Sequence, residues 1–597
     1  MKPKSYPVTP LALSVVAAAV TLTQSALADY VWTGAAGNGL YSDPANWSGT
    51  STDNNLIDNG QTATVDSVIG WNPNDLKIAS AGGSLGNTTT GTVTISAGSL
   101  STNYWTFVGD WAGNATMNVT GTGSYTSGAL NGNGNILVGL YGSTGVLNVN
   151  TTGTLTASGL YISPNNTTNG GALPNSGGTF NLAAGTVNIS GDTQIGSDFW
   201  GAGNYSNGTM TMTGGTMNVG GLFEVGHLGL SATSGTSSAT ISGGTLNVQN
   251  DLRLGFAGNT GTTASMVING GAVNVATATA RWVILGQWDP TSSNMEVSNG
   301  GSLNLNAGTD IMFGTSGNSG TRTLTVDGGT INGTAGGGTY IDMQRGTSAG
   351  TSTITIKNGG TIAVDAIVGG GVSTLNFDGG TLKATSSDAN LINISGGGTT
   401  NLLAGGATID TNGYNPTVVS GLGGSGGLTK DGAGVLTLSG TSTYTGATIV
   451  SAGTLLVTGA LGNTAVTVQS GATIAGSGTL AGTLAFEDGA MLDTTAGTIT
   501  VTGLVQLGTA TDHFDFGNLA GFDVNSAAPG TYTFLSGSNI DFTYVDNFGL
   551  ENALALSGGR SAYFQNGSLQ VVVIPEPGAA LLGGIGVLAL LRRRRGC

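Results

Sequence analysis

From about Val93 to Leu382, apolar and polar residues alternate in short runs, and paired glycines interrupt the runs. Representative stretches are TMTMTGGTMNV (Thr209–Val219), ATISGGTLNV (Ala239–Val248), SMVINGGAVNV (Ser265–Val275), LTVDGGTINGT (Leu324–Thr334), ITIKNGGTIAV (Ile354–Val364) and LNFDGGTLKA (Leu375–Ala384). Alternation of this kind puts apolar side chains on one face of a strand and threonines on the other. The second glycine of each pair falls at Gly215, Gly244, Gly271, Gly301, Gly329, Gly360 and Gly380, with looser versions near Gly98, Gly123, Gly153 and Gly185; the steps run from 20 to 32 residues, mostly near 30. About ten residues later comes an apolar residue followed by glycine: Val108-Gly109, Val138-Gly139, Ile195-Gly196, Val225-Gly226, Leu254-Gly255, Leu285-Gly286, Phe313-Gly314 and Val368-Gly369.

One unit therefore reads as strand, Gly-Gly or Asn-Gly turn, strand, polar loop, strand and variable loop. Such a unit holds too few inward apolar residues to form a core alone. Coiling successive units puts Leu on Leu and Val on Val, and every strand pairs with those above and below. The sequence predicts an all-β fold, a right-handed parallel β-helix (β-solenoid) of about 11 turns, roughly 50 Å long at about 4.8 Å per turn. Asn188, Asn218, Asn247, Asn274, Asn304 and Asn332 follow each Gly-x-apolar triplet. In register, their amides are expected to form a hydrogen-bonded ladder. Sandwich repeats are the structural rival, but about 30 residues is too short for a sandwich domain.

The flanks differ in texture. Residues Tyr30–Trp47 hold Trp32, Tyr41 and Trp47, which suit a cap over the open first coil better than a sugar platform, because bare strand edges invite aggregation. Residues 458–510 continue with Gly-Thr-Leu turns, and residues 512–574 bring Phe514, Phe516, Phe522, Tyr532, Phe534, Phe542, Tyr544, Phe548, Tyr563 and Phe564. The second set reads as an aromatic-rich β cap.

Composition fits this picture: 108 of 597 residues are Gly, only 12 are Pro and 8% are charged, which is neither collagen nor ordinary disorder. Six of the 15 basic residues and one of the 31 acids, Glu576, lie in the two ends, which leaves the body with 30 acids against 9 bases. A body so acidic repels nucleic acid. The single cysteine, Cys597, excludes an intramolecular disulfide and does not sit at the prenylation spacing, so stability must come from packing and backbone pairing.

The ends read as addresses. Lys2 and Lys4 precede an apolar run from Leu11 to Leu22, and Ala26-Leu27-Ala28 follows; this predicts a secretory signal peptide cut by signal peptidase after Ala28. At the other end Pro575-Glu576-Pro577 precedes 14 apolar residues, Gly578 to Leu591, and then Arg592, Arg593, Arg594 and Arg595. The apolar run makes a helix of about 21 Å against a hydrocarbon core of about 30 Å, a short and marginal span whose arginines stay cytoplasmic. The prolines keep the preceding stretch extended, as a protease site requires.

This ending resembles the PEP-CTERM sorting signal of Gram-negative, biofilm-forming bacteria. The resemblance implies recognition by an exosortase-like membrane protease, transient inner-membrane insertion, and delivery to the outer surface or extracellular matrix. A second resemblance lies at Gly427–Val457, where Lys430, Gly432, Gly434, the Leu436/Leu438 alternation, Tyr444-Thr-Gly446 and Gly453-Thr-Leu-Leu are similar to the autotransporter-associated β-strand repeat. In that family the segment belongs to a β-helical passenger. The resulting organisation is a signal peptide (1–28), an N-terminal aromatic β cap (29–80), β-helix repeats (81–425), the autotransporter-type repeat with continuing solenoid (426–510), an aromatic-rich β cap (511–573) and a sorting tail with a short hydrophobic helix (574–597).

Chemistry is sparse. Polysaccharide enzymes on β-helices need clustered acids and bases, often with calcium. Only His227 and His513 exist, neither within a motif, although His227 follows Glu224 closely. Arg253, Arg281, Arg322 and Arg345 are expected as scattered, solvated arginines, and Asp310, Asp327, Asp342 and Asp365 as weak calcium ligands at most. Thr-x-Thr pairs at Thr92/Thr94, Thr209/Thr211/Thr213, Thr323/Thr325 and Thr353/Thr355 raise ice binding, but intervening units lack the pair. No metal-spaced His/Cys set, nucleophile elbow or phosphate loop is present. The expectation is a non-catalytic structural or adhesive surface protein with no resident cofactor and no assigned catalytic residue; the alternative is a β-helix that binds or degrades extracellular polysaccharide.

Overall fold

The computed structural model describes residues 30–575, except 49–54, 59, 81–88, 131, 165–175, 198–205, 228–234, 257–261, 277–280, 288–291, 307, 315–319, 337 and 346–349. The signal-peptide residues Ala26 and Ala28 and the tail from Glu576 and Pro577 to Arg592–Arg595 lie outside the described residues. Pro575 is described and exposed, just past the last strand, Leu569–Ile574. Among the described residues the only helices are four 3-10 turns of three residues, and no helix is long and apolar enough to cross a membrane.

The chain coils into a parallel β-helix. One sheet has 28 strands and a second has 21; we call them the bent sheet and the back sheet. In one coil, Met210, Met212, Met217 and Val219 point inward from the bent sheet, and Phe223 and Val225 point inward from the back sheet, each at most 1% exposed. Copying this pattern stacks like on like. Met210 lies between Phe180 and Ala239, Met217 between Val187 and Leu246, and Val225 between Ile195 and Leu254. Each fully buried side chain of this kind contributes roughly 2 kcal/mol. Twenty-one strands at about 4.8 Å extend the back sheet to roughly 95 Å, because the coils continue on both sides of the repeats that the pattern marks.

Each coil gives the bent sheet two arms with a glycine corner between them. Ser206–Val219 runs through this corner as one strand of 14 residues, whereas Thr262–Asn269 and Ala272–Val275 are separate arms. At Gly270-Gly271 the two glycines serve different needs. Gly270 takes φ +91°, while a Cβ on Gly271 would stand 2.4 Å from Ile241 Cγ2 of the coil below. Asn299-Gly300 and Asn358-Gly359 take positive φ at both residues, the backbone of a type I′ turn. A second corner follows the back strand, where Gly109, Gly139, Gly196 and Gly226 also have positive φ.

The coils shorten along the chain. Hydrogen-bonded neighbours on adjacent coils are 30 residues apart at Asn188 and Asn218, but 20 apart at Thr411 and Asp431. In the short coils a third face forms its own sheet, beginning with Thr441–Ser442 on Ala460–Leu461 and then Thr479–Leu480.

Both ends carry aromatic clusters. Trp32 and Tyr41 are buried and Trp47 nearly so. The Tyr41 and Trp47 rings meet at 4.8 Å, and Trp71 stacks on Tyr41 at 5.5 Å. The buried rings of Trp32, Tyr41 and Trp47 cap the coil, with half-buried Trp71 packed on them. The cap overlaps the first coil, since Gln61–Val65 already pairs in parallel with Gly91–Ile95. At the other end Gly530–Ser536 pairs in parallel with Ile499–Val501 and antiparallel with Leu569–Ile574. Reversal of strand direction there, over Phe514, Phe516 and Phe564, ends the parallel ladder.

Candidate functional site

The bent sheet's outward face is the chain's regular surface. The predicted amide ladder forms from Asn188 to Asn332, with each Nδ2 donating to the Oδ1 of the coil before at 2.7–2.9 Å. A second, shorter ladder runs from Asn181 through Asn148 to Asn118 on the other arm. The Thr-x-Thr pairs do face outward in register, with Thr323 and Thr325 beside Thr353 and Thr355. Val267 and Glu296 interrupt the threonine row.

The back sheet's outward face carries the irregular chemistry. Tyr161, Gln194, Glu224 and Arg253 follow one another in a single row across four coils. Glu224 is 1% exposed although it points away from the core. Its Oε2 accepts from Gln194 Nε2 at 2.8 Å and lies 2.8 Å from His227 Nδ1, and its Oε1 lies 3.3 Å from Arg253. Arg253 also reaches Asp251 at 2.7 Å, and the His227 ring stacks on Phe256 at 4.7 Å. Burial works against the Glu224 charge, but His227, Arg253 and Gln194 outweigh it and hold the carboxyl below its usual range. Nearby Asp192 goes the other way, raised by burial with a further push from Glu224. Tyr161 is pushed up to about 12 by burial and by those same two carboxylates. Both Glu224 oxygens are thus engaged by side chains from three successive coils. The arrangement clamps coils together, and it also places an ionised carboxylate against an imidazole.

The aspartates at the entrance to the back strands have a shared task. Asp75, Asp192, Asp251 and Asp310 each accept the backbone N–H one coil on, from Trp105 (2.9 Å), Leu222 (2.8 Å), Trp282 (3.2 Å) and Tyr340 (2.9 Å). Burial raises Asp310 to about 6.

Of the residues singled out from the sequence, His227 and Arg253 meet at Glu224, Asp310, Asp342, Asp365 and Arg345 lie near one another, and the others are dispersed. Asp327 sits at a bent-sheet corner with Lys357 at 3.0 Å and Asn358 at 2.7 Å. Asp342 accepts the Gln344 backbone N–H, and Asp365 takes the Thr385 hydroxyl. No group of three or more His, Cys, Asp or Glu is placed to share an ion among the described residues. His513 pairs with Asp546 at 2.8 Å, far along the chain from His227. The arginines are not uniformly solvated. Arg322 is fully buried, because its position is the inward one held by Ser293 and Ser352 in the flanking coils. Its side chain lies over Gly286 and Gly314, which leave room for it.

The short coils are organised around Lys430. It points inward and is fully buried. Its Nζ donates to the carbonyl oxygens of Asp431 (2.9 Å), Gly432 (2.6 Å) and Ala452 (2.7 Å) and to Thr411 Oγ1 (3.2 Å). Burial lowers its pKa to about 8. Gly434 must lack a side chain, since a Cβ there would stand 1.7 Å from the Tyr414 carbonyl. Tyr444 is buried with its hydroxyl 2.6 Å from Thr448 Oγ1. The alternation of this stretch shows in its sequence; the ammonium clamp does not, because a lone lysine among polar residues normally reads as surface.

Residues 428–457 match the passenger-associated-transport-repeat family model. No curated protein matches the chain. The matched stretch contains Lys430, Gly434 and Tyr444, so the repeat's pattern coincides with the clamp and close approaches just described, and in this stretch the chain is similar to exported passenger domains.

Proposed function

We propose that the chain is an exported, non-catalytic structural or adhesive protein of a Gram-negative cell surface or extracellular matrix. The observation that carries this is the passenger-type repeat at 428–457 inside an unbroken stack of parallel coils. A stack of this kind is long and repeats the same strand pairing over many coils, and its outward Thr, Ser and Asn rows offer repeated hydrogen-bonding groups to glycans or neighbouring chains. Sorting would use Pro575, Glu576, Pro577, the apolar run and Arg592–Arg595, read by an exosortase-like membrane protease after removal of the signal peptide. The test is deletion of residues 575–597 while following the protein by cell fractionation. Accumulation away from the surface supports the sorting reading, and unchanged surface delivery counts against it.

A second reading, cleavage of polysaccharide, is favoured by one observation, the Glu224 carboxylate held against His227 beside Arg253. Full engagement of both Glu224 oxygens weighs toward a structural clamp. Incubating the purified chain with envelope and plant polysaccharides, with and without calcium, separates the readings: reproducible chain cleavage abolished by Glu224→Gln supports the enzyme.

A further inference from the structure

We infer that the back sheet carries a binding platform for a neutral hexopyranose chain, formed by Trp282 and Tyr340 with Asp310 between them. The inference rests on the adhesive reading in taking a glycan as partner, and it names the site and the class of glycan.

Trp282 is 44% exposed and Tyr340 37%. Among the described tryptophans Trp282 alone is exposed. Both point outward because the next residues, Val283 and Ile341, point fully into the core. They stand in one row of the stack. Trp282 pairs with Asp310 on the next coil, and Asp310 Oδ1 accepts the Tyr340 N–H at 2.9 Å on the coil after that. Two coils separate the rings, roughly 9–10 Å along the axis. Ile284 and Met312 occupy the next outward positions of the Trp282 and Asp310 strands, and both are nearly covered, so the apolar surface open to a ligand is that of the two rings.

Polar groups surround the rings. The Arg345 guanidinium sits 5.8 Å over the Trp282 ring and contacts Met312 Sδ. The Tyr340 hydroxyl donates to Asp388 at 3.2 Å, and Asp342 shares the Tyr340 strand. A pyranose has an apolar face of C–H bonds and a rim of hydroxyls. Two exposed aromatic side chains spaced along the stack, with carboxylates beside them and a guanidinium over one ring, supply apolar surface and polar partners for an extended chain lying along the stack. The local charge selects among glycans. Asp310, Asp342, Asp365 and Asp388 lie close to the rings with Arg345 as the facing cation, so a uronate, sulfate or phosphate chain is repelled and a neutral one is accepted. Pairing across coils explains why the site is hidden in the sequence: its two aromatics lie on different repeats and share no motif.

The test is affinity electrophoresis of the exported chain in gels containing a soluble neutral β-glucan or glucomannan, with alginate and polygalacturonate as acidic comparators. The expected result is retardation by a neutral polysaccharide, weakened roughly tenfold by Trp282→Ala and by Tyr340→Ala. Trp282→Phe should retain binding, and Tyr104→Ala, at an exposed aromatic elsewhere, should leave it unchanged. Unaltered thermal melts establish that the variants fold. Undiminished neutral binding in both alanine variants overturns the platform and leaves the adhesive reading standing. Retardation of the parent chain by acidic polymers alone overturns the charge argument, and retardation by none overturns the glycan partner while leaving sorting to its own test.

Discussion

Asn247 donates its side-chain amide to Asn218 at 2.8 Å and accepts that of Asn274 at 2.8 Å. Every internal member of the ladder is thus bonded on both sides, whereas Asn332 bonds to one ladder neighbour, Asn304. Asn247→Ala should therefore cost about 2 kcal/mol and Asn332→Ala about 1 kcal/mol. Amide hydrogen exchange of the neighbouring strands checks this, because loss in a repeat structure is felt locally first. Equal effects at the two positions would remove the ladder from the account of stability.

Lys430→Met should cost about 3 kcal/mol, since three carbonyls and the Thr411 hydroxyl lose a buried charged donor. Faster proteolysis between Thr411 and Gly453 is the expected readout. The pH dependence has a definite sign. Lys430 titrates near 8 in the folded chain against an ordinary 10.5, so the unfolded chain binds more protons between those values and the residue's contribution to stability rises with pH across that window. Lys430→Met should flatten that rise.

Ala79 takes φ +52° at the corner where the following coils place Gly109 and Gly139. An L-residue there is strained by roughly 1–2 kcal/mol. Ala79→Gly should relieve most of it and raise the melting temperature, although glycine's freedom in the unfolded chain takes part back. The reverse change, Gly226→Ala, should destabilise, because Gly226 has φ +75° and a new Cβ would lie 2.9 Å from that of Ala264.

Two carboxyls should give opposite acid responses. Glu224 is held below its ordinary 4.5; its contribution is intact above that value and disappears as pH falls through the lower folded value. Asp310 is raised from 3.8 to about 6, so its contribution is largest below 3.8 and declines as pH rises toward 6. Urea midpoints measured from pH 3 to 7 should lose their acid decline in Glu224→Gln and gain a flatter profile between about pH 4 and 6 in Asp310→Asn. Unchanged profiles would argue that neither group matters to the fold.

Much of the fold was legible because register copies each residue onto its counterpart. Asn188, Asn218 and Asn247 recur in the sequence for the same reason that they touch in space. What one strand's alternation does not encode was hidden. Either glycine of a pair can take the turn, Gly215 in one coil and Gly270 in another, and the difference depends on the coil beneath. Arg322 reads as surface until it is aligned with Ser293 and Ser352, which shows it in an inward row. Glu224 with Arg253, and Trp282 with Tyr340, become neighbours only when one coil is laid on another, so no local motif announces them.

Coil lengths also carry a genetic consequence. Asn218 and Asn247 are 29 residues apart and occupy equivalent places, and the strands on either side present interchangeable surfaces. Excising or duplicating one such 29-residue period leaves flush joints, so recombination between repeats can lengthen or trim the molecule without redesigning any part of it. The length of the molecule then becomes a heritable quantity adjusted in whole-coil increments.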